Sequence, residues 1–77
     1  MDLLEIRDQI DGIDKEIVEL FEKRMQLSAE VAEYKISNNK AVLDPQREKE
    51  KLNTLEKYAS NSFNRVGVYE LFRQMMR

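Results

Sequence analysis

An arginine occupies a position at which the pattern of apolar residues would place a leucine. Arg24 falls within a seam whose other members follow an alternating three-and-four spacing: Leu3, Ile6, Ile10, Ile13, Ile17, Leu20, Leu27, Val31 and Tyr34. A repeat of this kind faces a partner helix, so the guanidinium of Arg24 is directed into an apolar interface. The pattern therefore predicts an anionic group next to Arg24.

A lysine on the same helix face extends this cationic region. Arg24 and Lys35 are eleven residues apart. At about 100° and about 1.5 Å per residue, they lie within roughly 20° of each other and about 16 Å apart along the helix. Their side chains can therefore converge on one small ligand. The alternative for Lys35 is that its ammonium reaches solvent or pairs with an acidic residue of another helix.

Arg7 can join the same site only from a second chain. It lies seventeen residues before Arg24, which on a straight helix is about 25 Å along the axis and about 100° around it. If two long helices pack antiparallel in a dimer, Arg7 of one chain approaches Arg24 of the other and completes a shared site. The periodicity alone favours an exposed arginine.

The polar motif Asp44-Pro45-Gln46-Arg47-Glu48 is predicted to open a later helix. The Asp44 carboxylate can accept a backbone N–H as N-cap, and Pro45 suits the first helical position. Arg47 places a cation in the first turn, against the helix dipole, which favours an anionic ligand or carboxylate nearby. Glu48 can accept a hydrogen bond from a hydroxyl group or can simply favour the helix start.

The residue types that are absent limit the chemistry. The chain has no cysteine and no histidine, which excludes disulfides, thiolate nucleophiles, the usual zinc ligands and an imidazole base. We therefore expect no metal and no cofactor. Catalysis in this chain must use arginine, lysine, carboxylate, hydroxyl and amide groups.

Size and composition favour a helical oligomer. A chain of 77 residues forms one domain at most, with a marginal core. Hydrophobic residues are 42% and charged residues 36% of it, with two glycines and one proline, as is typical of amphipathic helices. The basic residues are spread along a chain of net charge −2, so nucleic acid is not expected as a partner. No apolar run is long enough for a membrane span, and we expect a cytoplasmic location.

We predict an all-α fold in a single domain, residues 1–77, with helices at about residues 2–36, 44–59 and 64–77. The first helix, on the order of 50 Å long, exceeds what one small chain can cover and is expected to pair with a second copy. The inner faces of the other two helices are predicted to carry Leu52, Leu55, Tyr58 or Ala59, Val68, Phe72, Met75 and Met76. The helical pattern persists to Arg77 without a stop signal, which predicts a chain cut inside a helix.

Taken in order, four motifs resemble the all-helical (AroQ-class) chorismate mutases. They are Leu3-x-x-Ile6-Arg7, Glu22-Lys23-Arg24, Tyr34-Lys35 and Asp44-x-x-Arg47-Glu48. The resemblance spans the whole chain. It implies an intertwined three-helix homodimer with active sites shared between the chains, and an isomerase that converts chorismate to prephenate in phenylalanine and tyrosine biosynthesis.

The resemblance also implies a role for each matching residue. Arg24 and the partner subunit's Arg7 would hold the two carboxylates of chorismate in the reactive conformer. Lys35 would donate to the ether oxygen and a carboxylate, stabilising the negative charge that develops as the C–O bond breaks. Glu48, with the backbone at Asp44, would bind the ring hydroxyl, and Arg47 would support the site. No nucleophile, metal or proton shuttle is required.

The chain departs from the family pattern at its end. The family usually places a serine about two turns beyond the residue matching Phe72, and a glutamine or glutamate about one turn later. The chain ends before both positions, and Gln74 lies too early to take either role. The expectation is a loss of about 100- to 1,000-fold in activity, in a segment of a longer, bifunctional protein with a fused domain beyond Arg77.

Two other functions remain open on the sequence alone. An isochorismate pyruvate lyase uses the same scaffold and eliminates pyruvate instead of rearranging its substrate. A non-catalytic helical dimerisation or regulatory module of a larger enzyme would also account for the long apolar seam.

Overall fold

The computed structural model describes residues 2–76 and contains three helices, α1 (Leu3–Ser37), α2 (Pro45–Glu56) and α3 (Ser62–Met75). No strand occurs in the described residues, so the prediction of an all-α fold is confirmed. The chain divides into two units, the first ending at Val42 and the second beginning at Leu43. The first unit is α1 with the turn that follows it, and the second is α2 packed against α3.

Side chains at both ends explain where α1 begins and ends. The Asp2 carboxylate accepts the backbone N–H of Glu5 at 2.9 Å and caps the first turn. At the other end, the Asn38 side-chain amide donates to the carbonyl of Tyr34 at 2.8 Å. Asn39 then adopts the left-handed conformation, with φ 59°, which asparagine tolerates better than most residues and which ends the helix.

The apolar seam of α1 is uncovered along its whole length. No residue of α1 is buried. The seam side chains are between 43% and 65% exposed, namely those of Leu3, Ile6, Ile10, Ile13, Ile17, Leu20, Leu27, Val31 and Tyr34. A helix that exposes a continuous apolar stripe is marginal by itself in water. The first unit therefore contains no hydrophobic core of its own.

The second unit has a small core between its two helices. Leu52 is the buried residue of the described chain, at 8% exposed. The residues around it are half-buried, as predicted for the inner faces: Leu55, Ala59, Val68, Phe72, Met75 and Met76. Tyr58, offered as an alternative to Ala59, is 78% exposed. Because α2 and α3 each place one apolar stripe against the other, this unit covers part of its own hydrocarbon.

Three helix boundaries differ by two residues or more from those predicted. The α2 helix ends at Glu56 rather than near residue 59, because the backbone tightens into three-residue turns, such as Tyr58 N–H to Leu55 carbonyl at 3.1 Å. The α3 helix begins at Ser62 rather than residue 64, because the Asn61 side chain accepts the Asn64 N–H at 2.7 Å and caps the helix earlier. The α3 helix ends at Met75 with Met76 as its C-cap, rather than continuing as predicted, and the last predicted helical residue, Arg77, lies outside the described residues.

Candidate active site

The cations of α1 differ in how far they are covered. Three residues of α1 are half-buried, namely Arg24, Ala32 and Lys35, whereas Arg7 is exposed. Arg24 is thus partly covered although its seam neighbours Leu20 and Leu27 are 65% and 54% exposed. The helix is unbroken from Leu3 to Ser37, so the predicted spacing of about 16 Å between Arg24 and Lys35 on nearly one face holds in the structure.

The turn after α1 gives Lys35 a defined surrounding. Its Nζ donates to the backbone carbonyl oxygen of Val42 at 3.4 Å, which is long for such a bond. The left-handed Asn39 turns the chain back, and the Lys40 ammonium lies 5.6 Å from the centre of the Tyr34 ring. An ammonium has three donors, so the Val42 contact leaves Lys35 with donors for a ligand. As a cation in the last turn, Lys35 is also favoured by the helix dipole.

Arg7 and Arg24 cannot meet within one chain. They lie on the same uninterrupted helix, about 25 Å apart along its axis. An arginine side chain extends about 7 Å from its Cα, as its bond lengths require. The geometry of α1 therefore agrees with the sequence argument that a site with both arginines needs a second copy of the helix.

The start of α2 gathers three predicted site residues into one turn. Asp44 Oδ1 accepts the backbone N–H of Arg47 at 3.1 Å, and the Asp44 carbonyl accepts the N–H of Glu48 at 3.1 Å. Pro45 occupies the first helical turn, as predicted. Glu48 is half-buried and Arg47 is exposed. Within residues 2–76, Arg47 has no ion pair that would offset its unfavourable place in the helix dipole.

Glu48 lies at a concavity of the second unit, between α2 and α3. The cavity has a volume of about 360 Å³ and is lined by Leu43, Glu48, Leu52, Arg73 and Met76. Glu48 is predicted from the sequence and Arg73 is not. No sequence signal marks Arg73, because it lies about 100° around the helix from Phe72 and therefore falls at the edge of the apolar stripe.

A larger concavity in the same unit has a different character. It measures about 780 Å³ and is lined by Tyr58, Ala59, Ser60, Phe63, Asn64, Val66, Gly67, Val68 and Leu71. None of these side chains carries a charge, and none is a predicted site residue. This concavity therefore offers no charged side chain that could bind an anionic ligand.

The predicted residues thus form two groups. The cations Arg7, Arg24 and Lys35 lie on the first unit, and Asp44, Arg47 and Glu48 lie on the second. Neither group has the composition of a nucleophile with its base. Both supply preorganised hydrogen-bond donors and acceptors, which suits a reaction that depends on orientation and charge stabilisation.

Comparison with known families identifies the type of domain. The chain matches the family model of chorismate mutase type II over residues 6–77. It belongs to this family. The resemblance drawn from the four sequence motifs is therefore confirmed, and with it the prediction of a chorismate mutase domain.

The relatives of this chorismate mutase domain are longer proteins, and the match covers only part of each. It is 44% identical over 75 residues to the bifunctional chorismate mutase/prephenate dehydratase of Buchnera aphidicola subsp. Schizaphis graminum (strain Sg), covering 94% of this chain and 19% of that protein. The protein of the same name from Buchnera aphidicola subsp. Acyrthosiphon pisum (strain APS) is 47% identical over 53 residues, covering 69% and 14%. The T-protein of Enterobacter agglomerans is 40% identical over 58 residues, covering 75% and 16%.

The chain therefore spans about a fifth, or less, of the length of these curated relatives. No solved structure matches it. In the described part of the chain, no helix is long and apolar enough to cross a membrane.

Proposed function

We propose that this chain catalyses the rearrangement of chorismate to prephenate, as a homodimer with two active sites shared between the subunits. Support comes from α1, where Arg24 and Lys35 are half-buried cations on one face of a helix. A dicarboxylate with an ether oxygen matches this arrangement, because guanidinium and ammonium groups donate hydrogen bonds to both kinds of oxygen. Membership in the chorismate mutase type II family points to the same reaction.

The dimer is proposed from the uncovered seam. The nine apolar seam residues are each roughly half exposed, so covering each one contributes on the order of 1 kcal/mol to association. A second copy of α1 carries the same stripe and can cover it by two-fold symmetry. Since Arg7 cannot reach Arg24 within one chain, the same association supplies the partner subunit's Arg7 to the site.

In this mechanism the two arginines act on the substrate carboxylates. Arg24 and the partner subunit's Arg7 hold one carboxylate each and select the folded conformer in which the two reacting carbons approach each other. Orientation of this kind lowers the barrier because the entropy of alignment is lost on binding rather than during the reaction. No covalent bond between protein and substrate forms.

Lys35 stabilises the charge that develops as the bond breaks. Its Nζ donates to the ether oxygen, where negative charge accumulates in the transition state. The contact to the Val42 carbonyl is long at 3.4 Å and therefore weak, so it orients Lys35 without blocking it. Glu48 and the backbone at Asp44 bind the ring hydroxyl, and Arg47 adds positive potential at the same turn.

The relatives suggest the setting of the domain. Two of them are named bifunctional chorismate mutase/prephenate dehydratases. We propose that this chain likewise acts beside a fused catalytic domain that consumes prephenate, in phenylalanine and tyrosine biosynthesis. We place it in the cytoplasm, because its proposed substrate is a polar dianion that does not partition into a bilayer.

The test is turnover by the unaltered chain and by Arg24→Leu. We expect chorismate to be converted to prephenate, and Arg24→Leu to lower kcat/KM about 1,000-fold, because a carboxylate anchor is lost. The dimer should remain folded, or gain about 1–3 kcal/mol, since hydrocarbon replaces a charge in the seam. Lys15→Leu, which changes an exposed cation of the same helix, is the matched control and should keep full activity.

Three outcomes would contradict the proposal. Pyruvate release from isochorismate without prephenate formation would favour the lyase. Unchanged turnover in Arg24→Leu would exclude Arg24 as the anchor. A stable dimer that neither converts nor binds chorismate would favour the non-catalytic dimerisation module.

A further inference from the structure

Arg73 and Glu48 border the same cavity from two different helices. Arg73 lies in α3, Glu48 lies in the first turn of α2, and both are half-buried. The remaining lining residues, Leu43, Leu52 and Met76, are apolar. The cavity thus has one cationic and one anionic group in an otherwise hydrocarbon wall.

The two charged groups do not neutralise each other. The ion pair of Arg73 is with Glu70, with Nη2 at 3.1 Å from Oε2, and none joins Arg73 to Glu48 within the described residues. Glu70 precedes Arg73 by one helical turn and fixes one end of the guanidinium. Glu48 therefore keeps its carboxylate available to another donor.

The guanidinium also retains hydrogen-bonding capacity. Its Nε is buried and has no hydrogen-bond partner among residues 2–76. A buried donor without a partner is unfavourable, and more so on a charged group. The other end of the guanidinium is already engaged by Glu70. Arg73 is thus an oriented cation, and the N–H groups of its terminal nitrogens, beyond the one that Nη2 donates to Glu70, can serve a group in the cavity.

Only some ligand groups suit this pair. A carboxylate only accepts hydrogen bonds and a guanidinium only donates them. A ligand carboxylate would be repelled by Glu48, and a ligand ammonium by Arg73. A hydroxyl satisfies both, because it donates its proton to Glu48 and accepts from Arg73 on the same oxygen. The apolar wall suits the ring carbons that carry such a hydroxyl.

From this geometry we infer that Arg73 is a further substrate-binding residue, which donates to the ring hydroxyl of chorismate while Glu48 accepts its proton. The inference rests on the proposed function and deepens it. It makes Arg73 a determinant of specificity for hydroxylated ring substrates. A site built to hydrogen-bond a hydroxyl rejects the analogue that lacks it, because its polar groups are then left unpaired.

The experiment compares two ligands on matched variants. Arg73→Met removes the donors, Arg73→Lys keeps a cationic donor, and Arg65→Met changes an exposed arginine of the same helix. Steady-state kinetics are measured for chorismate and for its analogue in which hydrogen replaces the ring hydroxyl. We expect Arg73→Met to lower kcat/KM for chorismate about 10- to 100-fold, mainly through KM, and to change the analogue less than about 2-fold. Arg73→Lys should recover part of the loss, and Arg65→Met should match the unaltered chain with both ligands.

A double variant provides the second readout. If Glu48 and Arg73 hold one hydroxyl, Glu48→Gln combined with Arg73→Met should lose less than the product of the two single losses. Equal losses on both ligands, no loss in Arg73→Met, or independent effects of the two substitutions would overturn the role of Arg73. Failure of the unaltered chain to convert chorismate, and to bind it by calorimetry, would instead contradict the proposed function and the inference with it. Circular dichroism identifies a variant that does not fold. If Arg73→Met is unfolded, comparison of Arg73→Lys with the unaltered chain tests the role of Arg73 instead.

Discussion

The two units of this chain handle their apolar surface in different ways. In the second unit, α2 and α3 cover each other and bury Leu52 to 8% exposure. In the first, α1 leaves its whole seam half exposed and buries no residue. The half-buried residues of α1 include the two cations Arg24 and Lys35. The unit without a core is therefore the one that carries the two cations proposed to bind the substrate.

This difference has a physical reason. A site that binds a small dianion needs cations that are partly removed from water, where their charge is less screened. A helix packed within its own chain would have to bury those cations permanently, at a cost in free energy. A helix whose partner is a second copy can place them at an interface, where the substrate supplies the opposite charge. Under the proposed function, the first unit would depend on association for both its stability and its chemistry.

A charge placed in the seam should have the largest effect, because it acts on the association proposed for the first unit. Ile13→Asp puts a carboxylate where an apolar side chain is 56% exposed in the single chain and is covered in the proposed dimer. Association should weaken by at least about 3 kcal/mol, or roughly 100-fold in the dimer dissociation constant. Sedimentation equilibrium measures this change. Leu4→Asp, at a residue outside the seam that is 76% exposed, is the control, and equal weakening in both variants would contradict the seam as the interface.

A cavity created by substitution in the core of the second unit should lower the unfolding free energy without weakening association. Leu52→Ala removes the best-buried side chain of α2, and we expect unfolding in urea to require about 2–3 kcal/mol less free energy. The dimer should persist under native conditions. Val66→Ala, at a residue of α3 that is 67% exposed, should cost less than about 0.5 kcal/mol. Similar losses in the two variants would mean that the core does not lie between α2 and α3.

The smallest expected effect is that of replacing one glycine in each unit by alanine. An added Cβ meets nothing within 4 Å at either Gly12 of α1 or Gly67 of α3. Each substitution to alanine should therefore raise the unfolding free energy by about 0.5–1 kcal/mol, because alanine favours the helix. Thermal unfolding measures both. Destabilisation by Gly12→Ala alone would show that the face of α1 bearing Gly12, outside the seam, is also covered in the dimer.

The helices could be predicted from local signals. The three-and-four spacing and the polar ends placed α1 within one residue at each end, since Asp2 and Asn38 cap it directly. The error at the start of α3 came from two competing polar residues. Asn61 and Asn64 both favour a helix start. In the structure the side chain of Asn61 accepts the backbone N–H of Asn64, so the helix begins at the earlier position. Such a choice depends on side-chain geometry that residue types do not specify.

The candidate site was predictable only in part. The Asp44–Glu48 turn could be derived because a cap, a proline and a carboxylate occupy positions 44, 45 and 48. The place of Arg73 could not, because it depends on how α3 packs against α2, and that contact joins residues distant in sequence. The turn that holds Lys35 against the Val42 carbonyl requires a left-handed Asn39, which the polar run after α1 allows but does not specify.

Subunit complementation tests the central claim, a site shared between two copies of α1, most directly. Arg7→Ala and Arg24→Ala should each abolish turnover, because every site in either homodimer lacks one anchor. When equal amounts of the two variants are unfolded together and refolded, half of the dimers should be hybrids. In each hybrid, one of the two sites has both arginines. We predict recovery of about a quarter of the activity of the unaltered protein. Activity no higher than that of either variant alone, in a mixture shown to contain hybrid dimers, would contradict the shared site.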